Sequence, residues 1–311
     1  MAKEYGRPLS SPDLASKFLI NVLEFESRDA NKYKVRLSKA DAALEAQKVE
    51  GTLSSVKYRD PAYKKDDKRD ELRNKIFEEL FRHQRLANDE NIALGQGGAM
   101  PLTDVVSDKI AYILIGSPAS GKSTIATKIA DATGSYIVDS DYAKRKFPEF
   151  SSDIGASLVH EESALVTFGE NEQDSDQVNL KEALTFFGIN MVVAKVGSDV
   201  GRLRELRDDL IKEGYIVHLI LVSLDRQESC RRAFYRFLRT DRYVNLGLIF
   251  DVYSNEPILT YYRCMNDPSW ESVSKVCTLE LKESGPKLKS TNLNDDSVLH
   301  QIIGGWDVNQ G

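Results

Sequence analysis

The sequence predicts an α/β fold: a mostly parallel sheet covered by helices on both faces, preceded by a small helical N-terminal module. Three observations carry this. From residue 110 onward, short apolar runs of strand length alternate with amphipathic helical stretches, the pattern of βαβ units joined by right-handed crossovers. A glycine-containing octapeptide, Gly116-Ser117-Pro118-Ala119-Ser120-Gly121-Lys122-Ser123, stands between the first such run and the helix that follows it. The first 90 or so residues are instead highly charged, with apolar residues at helical spacing and few β-branched runs. The expected organisation is a helical module over 1–90, a Gly-rich linker over 91–107 and an α/β domain over 108–311.

Each element has its own signal. Ser11-Pro12-Asp13 starts a helix, with proline where its missing N–H is harmless. Leu14, Phe18, Leu19, Val22, Leu23 and Phe25 give it an apolar face. A second helix is expected over Ser38–Val49, stopped by Gly51. A third begins near Asp60-Pro61 or Asp66 and carries Leu72, Ile76, Leu80 and Leu86. Residues 91–101, with three glycines, read as a linker or as a mobile loop beside the site. Ile110–Ile115 is a buried parallel strand, and Thr124–Ala132 keeps a helical apolar face. Gly134–Asp141 is a strand ending in Asp139 and Asp141, followed by a basic segment closed by Pro148. Residues 151–163 lead into a helix, a polar interruption spans 169–176, and another helix covers 178–187. Strands 188–194 and 215–224 flank a helix over 199–213 that Gly214 ends. The helix Gln227–Thr240 carries Arg231, Arg232, Arg236 and Arg239, with Arg242 just beyond. A last strand over 275–281, a turn at Ser284-Gly285-Pro286 and a short helix over 295–303 complete the chain.

Composition excludes several classes. The 311 residues are 41% hydrophobic and 29% charged, enough to bury a sizeable core. A net charge of −6 argues against a general nucleic-acid binder, which needs a basic surface. Cys230, Cys264 and Cys277 are odd in number and widely spaced, the usage of a reducing compartment and not of a disulfide framework or zinc site. No apolar run approaches a membrane span and the N-terminus has no signal-peptide core. The expected place is the cytoplasm, although delivery into another cell by a specialised secretion system leaves no mark of this kind.

The octapeptide fits G-x-x-x-x-G-K-[ST], the phosphate-binding P-loop, and the strand before it and helix after it are the required context. Its glycines let backbone N–H groups turn around phosphate oxygens, and the helix N-terminus adds its positive dipole end. Residues Gly116–Thr124 are thus the expected nucleotide-binding set. Lys122 would reach the β- and γ-phosphates, and the Ser123 hydroxyl would complete a Mg²⁺ shell. A P-loop alone does not separate kinases from switches and motors, but three features favour a small-molecule kinase. No Asn-Lys-x-Asp guanine signature occurs. Asp141 stands where a carboxylate can take the proton of an acceptor hydroxyl, or else cap a helix or hold Mg²⁺ indirectly. The arginine-rich helix lies late in the chain, where a lid would neutralise the transferring phosphoryl group. Of its arginines, two at most are expected to be catalytic. His160 and Glu162 read as acceptor-binding or helix-structural, since neighbours on a helix do not converge on one ion. His218, within an apolar strand, reads as a core or sheet-face histidine.

The chain resembles the zeta-toxin family of P-loop kinases over roughly residues 108–265. The resemblance rests on Gly116–Thr124, on Val138-Asp-Ser-Asp-Tyr-Ala-Lys-Arg-Lys-Phe-Pro148, on Val159-His-Glu-Glu-Ser163, on Asn190–Gly197 and on Arg232–Arg242. It implies an ATP- and Mg²⁺-dependent kinase that phosphorylates a sugar hydroxyl of a nucleotide-linked metabolite. In the best-known members the acceptor is UDP-N-acetylglucosamine and the product poisons cell-wall synthesis; similar effectors phosphorylate a ribose hydroxyl of NAD. By position, the resemblance makes Lys122 and Ser123 the ATP site, Asp141 the general base and Arg236 with Arg242 the phosphate grip. Asp139, His160, Glu162 and Lys195 form the expected acceptor side. A Glu-Gly-Thr segment that holds the amino sugar in family toxins reads Ala194-Lys-Val-Gly197 here, which leaves the acceptor open. Lys195 then meets an acceptor phosphate or is an exposed loop lysine. Family toxins are restrained by a small helical antitoxin, so the helices fused at residues 1–90 are either an inhibitor in cis or a structural cover.

Overall fold

The computed structural model describes residues 6–46, 50–152, 154–169, 178–294 and 297–306. Its centre is strand β1 (Ile110–Ile115), whose run of apolar residues is buried on both faces by helices, as a central parallel strand requires. On one side of it lie β3 (Met191–Lys195) and then β2 (Tyr136–Val138); on the other lie β4 (Ile216–Ser223), β5 (Ser272–Cys277) and β6 (Lys287–Thr291). The sheet order is β2-β3-β1-β4-β5-β6, parallel except for β6, which runs antiparallel to β5. The predicted α/β class, with its mostly parallel sheet, is the observed one.

Register places the chemistry at one edge. Ile115 pairs with Lys195 and with Leu221, and Val138 pairs with Val193. The carboxyl ends of β1, β2, β3 and β4 therefore open toward the same edge, the ligand side of an open α/β sheet. Gly116, Asp139, Lys195 and the loop after Ser223 all emerge there.

The end of the chain departs from expectation. The last parallel strand is Ser272–Cys277, and 278–281 form a turn in place of the predicted strand end. Thr278 accounts for this, because its hydroxyl donates to the carbonyl of Ser120 at 2.5 Å and holds the turn against the P-loop. β6 was not foreseen. Its lysines, Lys287 and Lys289, suit an edge strand that must resist pairing with other chains. His218 sits on β4 with its ring stacked on Tyr112 (centroids 4.9 Å) and its Nδ1 2.7 Å from the Ser272 hydroxyl. Burial lowers its pKa.

At the N-terminal end, Ser11 caps the helix Pro12–Asn21 by accepting from the N–H of Leu14. The second helix, Ser27–Ala46, begins eleven residues before the expected start, in a stretch whose polar residues hide the helical period. The expected end at 47–49 lies outside the described residues, as do 153, the polar interruption at 170–176 and residues 295–296 of the last helix. The third helix is Asp66–Arg82. These helices join different neighbours. Leu72, Ile76 and Leu80 belong to the main core under the sheet. Phe18, Leu19, Leu23 and Leu37 instead form a second core with Cys230, Phe234 and Phe237 of the helix Arg226–Thr240.

The Gly-rich stretch is docked. The ammonium of Lys146, 1% exposed, donates to the carbonyls of Ala93, Gln96 and Gly97 at 3.0, 3.1 and 2.6 Å and pairs with Glu79 at 2.8 Å. Ile137 of β2 donates its N–H to the Ala99 carbonyl, tying the stretch to the sheet. No described helix is long and apolar enough to cross a membrane.

Candidate active site

The P-loop runs from the end of β1 into the helix Lys122–Thr133. Gly116 is required by contact, since a Cβ there would lie 2.4 Å from the Val222 carbonyl oxygen. Gly121 is required by conformation, with φ +88°. Ala119 also takes a positive φ, +61°, a strained choice of the kind that clusters at ligand clamps. Two hydroxyls from outside the loop brace it. Ser229 lies 2.9 Å from the Ser117 hydroxyl and donates to the Pro118 carbonyl at 2.6 Å, and Thr278 donates to Ser120.

Lys122 donates to the carbonyls of Gly116 and Ser117, both at 2.8 Å, which holds its ammonium at the mouth of the loop. Burial pushes its pKa down to about 8, against the pull of Asp139 and Asp141. The Ser120 hydroxyl is buried and has no hydrogen-bond partner among the described residues. A buried donor beside a cation fits an anionic ligand, so the loop suits the phosphates of a nucleotide. Ser123, the next residue, is exposed. Among the described residues no three His, Cys, Asp or Glu side chains are grouped to hold a metal ion. Mg²⁺ needs no such cage, because it keeps waters and takes phosphate oxygens with one or two protein ligands. The Ser123 hydroxyl, with the Asp139 and Asp141 carboxylates beyond the end of β2, is a donor set of that kind.

Asp139 and Asp141 have opposite environments. Asp139 caps the helix Ser140–Lys144, accepting from the Asp141 N–H at 2.9 Å. Burial, with the charge of Asp141 added, raises its carboxyl to about 6. Asp141 lies on the first turn with its side chain 51% exposed and pairs with Lys144 at 2.7 Å. Lys144 first, then Arg145 and Arg236, hold it well below the usual carboxylate range. Two carboxylates with pKa values driven apart are the arrangement from which acid–base roles are assigned.

Three guanidinium groups face this pair. The Arg236 guanidinium has no hydrogen bond or ion pair among the described residues, and it and Asp141 shift each other's titration. Arg242 lies 5.1 Å over the Phe150 ring and 3.5 Å from Glu90. Burial lowers the pKa of both, and the neighbouring arginines lower it further. Arg145, which sequence reasoning did not single out, donates to the Asp141 carbonyl at 3.2 Å, and its buried Nε has no partner among the described residues. The other helix arginines differ. Arg231 and Arg232 both pair with Glu228, Arg232 also donates to the Thr278 and Leu279 carbonyls, and Arg239 is exposed.

The basic segment after Asp141 sends three consecutive side chains three ways: Lys144 to Asp141, Arg145 into the site, Lys146 into the core. Their adjacency in sequence gave no hint of this division, although helical geometry turns neighbours apart.

The expected acceptor side is scattered. Glu162 is fully buried, with its carboxylate taken by Arg69 (2.6 and 2.7 Å), Arg73 (2.7 Å) and the Thr52 hydroxyl (2.5 Å). Burial pushes it up, and these partners overcome that push to leave it below its ordinary value. Its contacts are thus with the N-terminal third of the chain. His160 is exposed at the start of the helix His160–Phe168. Lys195 ends β3 beside the P-loop, its ammonium 3.3 Å from the centroid of the Phe168 ring.

This edge of the sheet, with its P-loop, paired acids and arginine helix, has the architecture of a P-loop phosphotransferase. The family model described as Zeta toxin matches residues 100–256, half of the chain, and the chain belongs to the zeta-toxin family of P-loop kinases. With that membership come kinase chemistry, nucleotide binding with ATP use, and kinship with toxins. A search of curated proteins gave no match. Three solved structures are similar in fold. The PezAT chromosomal toxin–antitoxin system of Streptococcus pneumoniae is 16% identical over 66% of this chain and 83% of that one, with a TM-score of 0.46. The native AvrRxo1-ORF1:-ORF2 complex is 17% identical over 81% and 75%, with a TM-score of 0.42. A gluconokinase from Sinorhizobium meliloti 1021 is 17% identical over 54% and 82%, with a TM-score of 0.31.

Proposed function

We propose that this chain transfers the γ-phosphoryl group of ATP to a sugar hydroxyl of a nucleotide-linked metabolite, acting as a toxin, with UDP-N-acetylglucosamine as the first candidate acceptor. The observation that carries the reading is the convergence of Lys122, the Asp139–Asp141 pair and the partnerless Arg236 at one end of the sheet. In the reaction the acceptor oxygen forms a bond to the γ-phosphorus, the bond from that phosphorus to the β,γ-bridging oxygen breaks, and ADP leaves. The acceptor proton passes to Asp141. With its low pKa, Asp141 acts through placement more than through basicity, which suffices for a transfer governed by positioning and charge. Lys122, Arg236 and Arg242 meet the charge on the phosphates. Ser123 would hold Mg²⁺, which would supply positive charge against that of the phosphates when bound.

An NAD ribose hydroxyl is the alternative acceptor, favoured by one observation: Ala194–Gly197, whose Lys195 lies against the Phe168 ring, replaces the segment that holds the amino sugar in family toxins. Asp139, His160, Glu162 and Lys195 remain proposals as acceptor residues, and of these the placement of Lys195 and Asp139 supports the role better than that of Glu162. The division into 1–90, 91–107 and 108–311 is likewise a proposal. Packing supports a different cut, between residues 6–46, which join the arginine helix, and residues 50–101, which join the sheet. Action in a cytoplasm, either that of the producing cell or that of a recipient, and restraint by an antitoxin complete the reading.

The experiment is mass spectrometry of a metabolite panel that includes UDP-N-acetylglucosamine and NAD, incubated with the protein, ATP and Mg²⁺. One panel member should gain one phosphate, and Asp141→Asn should slow that step by about 10²–10⁴-fold with ATP affinity kept. An unchanged panel, or unchanged turnover by the variant, would remove the kinase reading or the role of Asp141 respectively. An unchanged panel would leave a nucleotide-dependent switch as the reading.

A further inference from the structure

We propose that residues 6–46 are a brace for the arginine helix and not a plug over the nucleotide site, with Arg36 as the positioning residue at the point of attachment. The proposal rests on the reading of Arg236 and Arg242 as the groups that meet the γ-phosphate. The helix Arg226–Thr240 ends on Asp241, which has a left-handed φ of +58°. An α-helix leaves its last carbonyls without partners, and a non-glycine residue in that conformation is costly unless its surroundings hold it. Arg36, from 201 or more residues away in sequence, partners the Leu238 carbonyl and adds a second donor to the Phe237 carbonyl, which already accepts from the Asp241 N–H at 3.0 Å. Its guanidinium donates to the carbonyls of Phe237 (3.2 Å) and Leu238 (3.3 Å), pairs with the Asp241 carboxylate and stacks 4.8 Å from the Phe237 ring. The residues it grips, 237, 238 and 241, all lie between Arg236 and Arg242.

A second tie lies just beyond. Asp41, fully buried, accepts from the Leu9 N–H at 2.8 Å and from the Tyr243 hydroxyl at 2.7 Å, which fixes the residue following Arg242. Between these ties Phe18, Leu19 and Leu37 fill the back of the helix against Phe234 and Phe237. Ala119 of the P-loop packs against the apolar cluster that the brace shares with the arginine helix. Among the described residues, no hydrogen bond or ion pair joins 6–46 to Lys122, Ser123, Asp139 or Asp141. A plug would meet those groups; a brace would meet the far side of the lid, which is what 6–46 do. The arginines are therefore held in place before nucleotide arrives, and binding need not pay to order the lid.

The test compares the Kd of ADP with that of the non-hydrolysable analogue AMP-PNP, by calorimetry in Mg²⁺ buffer, for the full chain and for Arg36→Ala. Loosening the last turn should leave ADP affinity within about twofold and reduce the preference for the triphosphate about fivefold or more, the loss of charge-assisted contacts to one phosphate. Arg36→Lys, which keeps a cation able to reach the carbonyls, should recover part of that preference. Amide exchange over 226–240 should quicken while β1 and β4 stay protected, which separates loosening from misfolding. If Arg36→Ala does not fold, Tyr243→Phe, which removes only the hydroxyl given to Asp41, should shift the preference in the same direction. An unchanged preference in a folded variant overturns the brace, and tighter nucleotide binding overturns it in favour of the plug. These readouts need no turnover, so a chain that phosphorylated nothing would sink the kinase reading and leave this comparison standing.

Discussion

Residues 6–46 and residues 50–101 both reach from the N-terminal end of the chain to the edge of the site, and they are attached by different physics. The first stretch is held by apolar side chains packed on the arginine helix, with polar ties from Arg36 to the end of that helix, from Leu23 and Glu24 to Arg231, from Asp41 to Tyr243 and from Arg7 to Asp251. The second is locked by buried charge: Arg69, fully buried, lies between Glu149 and Glu162, and Lys146 joins Glu79 to three carbonyls of the Gly-rich stretch. Apolar burial is non-directional and tolerates small shifts, whereas a buried ion pair fixes one geometry and fails if either partner goes. The arginine helix is thus set against a yielding surface, and the helix carrying Asp141 against a rigid one, since Lys146 sits two residues after Lys144.

The largest effect should come from breaking the rigid attachment. Glu162→Gln leaves the shape of the side chain but removes the charge that Arg69 and Arg73 share, leaving Arg69 with Glu149 and Arg73 with Asp70, and removing one member of a buried pair costs about 3–5 kcal/mol. Thermal unfolding should move down as one transition for the whole chain. If the folded variant instead keeps its Tm and loses only acceptor affinity, Glu162 belongs to the substrate side after all.

Breaking the yielding attachment should cost somewhat less and act locally. Phe18, 3% exposed and edge-on to Phe250 at 6.1 Å, is one of the large side chains in the second core. Phe18→Ala should cost about 3 kcal/mol. Hydrogen exchange should then rise over 6–46 and 226–252 while the strands beside β1 keep their protection, the mark of a separate cooperative unit. Uniform loss of protection would show that the two attachments are one.

How much of this was legible in the sequence follows from the range of the signals. The strand at 110–115, the P-loop and the helix after it could be read because each is local: an apolar run, a glycine pair, a period of 3.6. Asp141 and the arginine helix could be placed on the same edge because parallel topology puts successive strand ends together. Arg145 could not, because nothing local separates it from Lys144 and Lys146, and only the turn of the backbone gives the three their different neighbours. Glu162 looked like an acceptor ligand because its partners, Thr52, Arg69 and Arg73, lie 89 to 110 residues away. β6 escaped for a related reason: an edge strand rich in lysine lacks the apolar alternation that reveals a strand. Arg36, among many charges on a polar helix, had no signal at all.

The smallest expected effect concerns the acid pair and depends on pH. Asp139 has its carboxyl raised from 3.8 to about 6 in the folded chain, so folding favours its neutral form. A raised carboxyl contributes its full stability below the unfolded pKa, near 4, and loses it as pH rises through about 6. Asp139→Asn keeps an oxygen for the Asp141 N–H, since Asn caps a helix as well as Asp does, and removes the titration. Near pH 4 the variant and the natural chain should therefore be equally stable. By pH 7 the variant should be the more stable by on the order of 3 kcal/mol, the value of a shift of about two pH units. Thermal unfolding at pH 4, 5, 6 and 7 reads this directly as a widening gap in Tm. A gap that stays constant with pH would mean that Asp139 ionises as freely in the folded chain as in the unfolded one. The opposed environments of the two acids would then vanish, and with them the physical ground for giving Asp139 and Asp141 different roles.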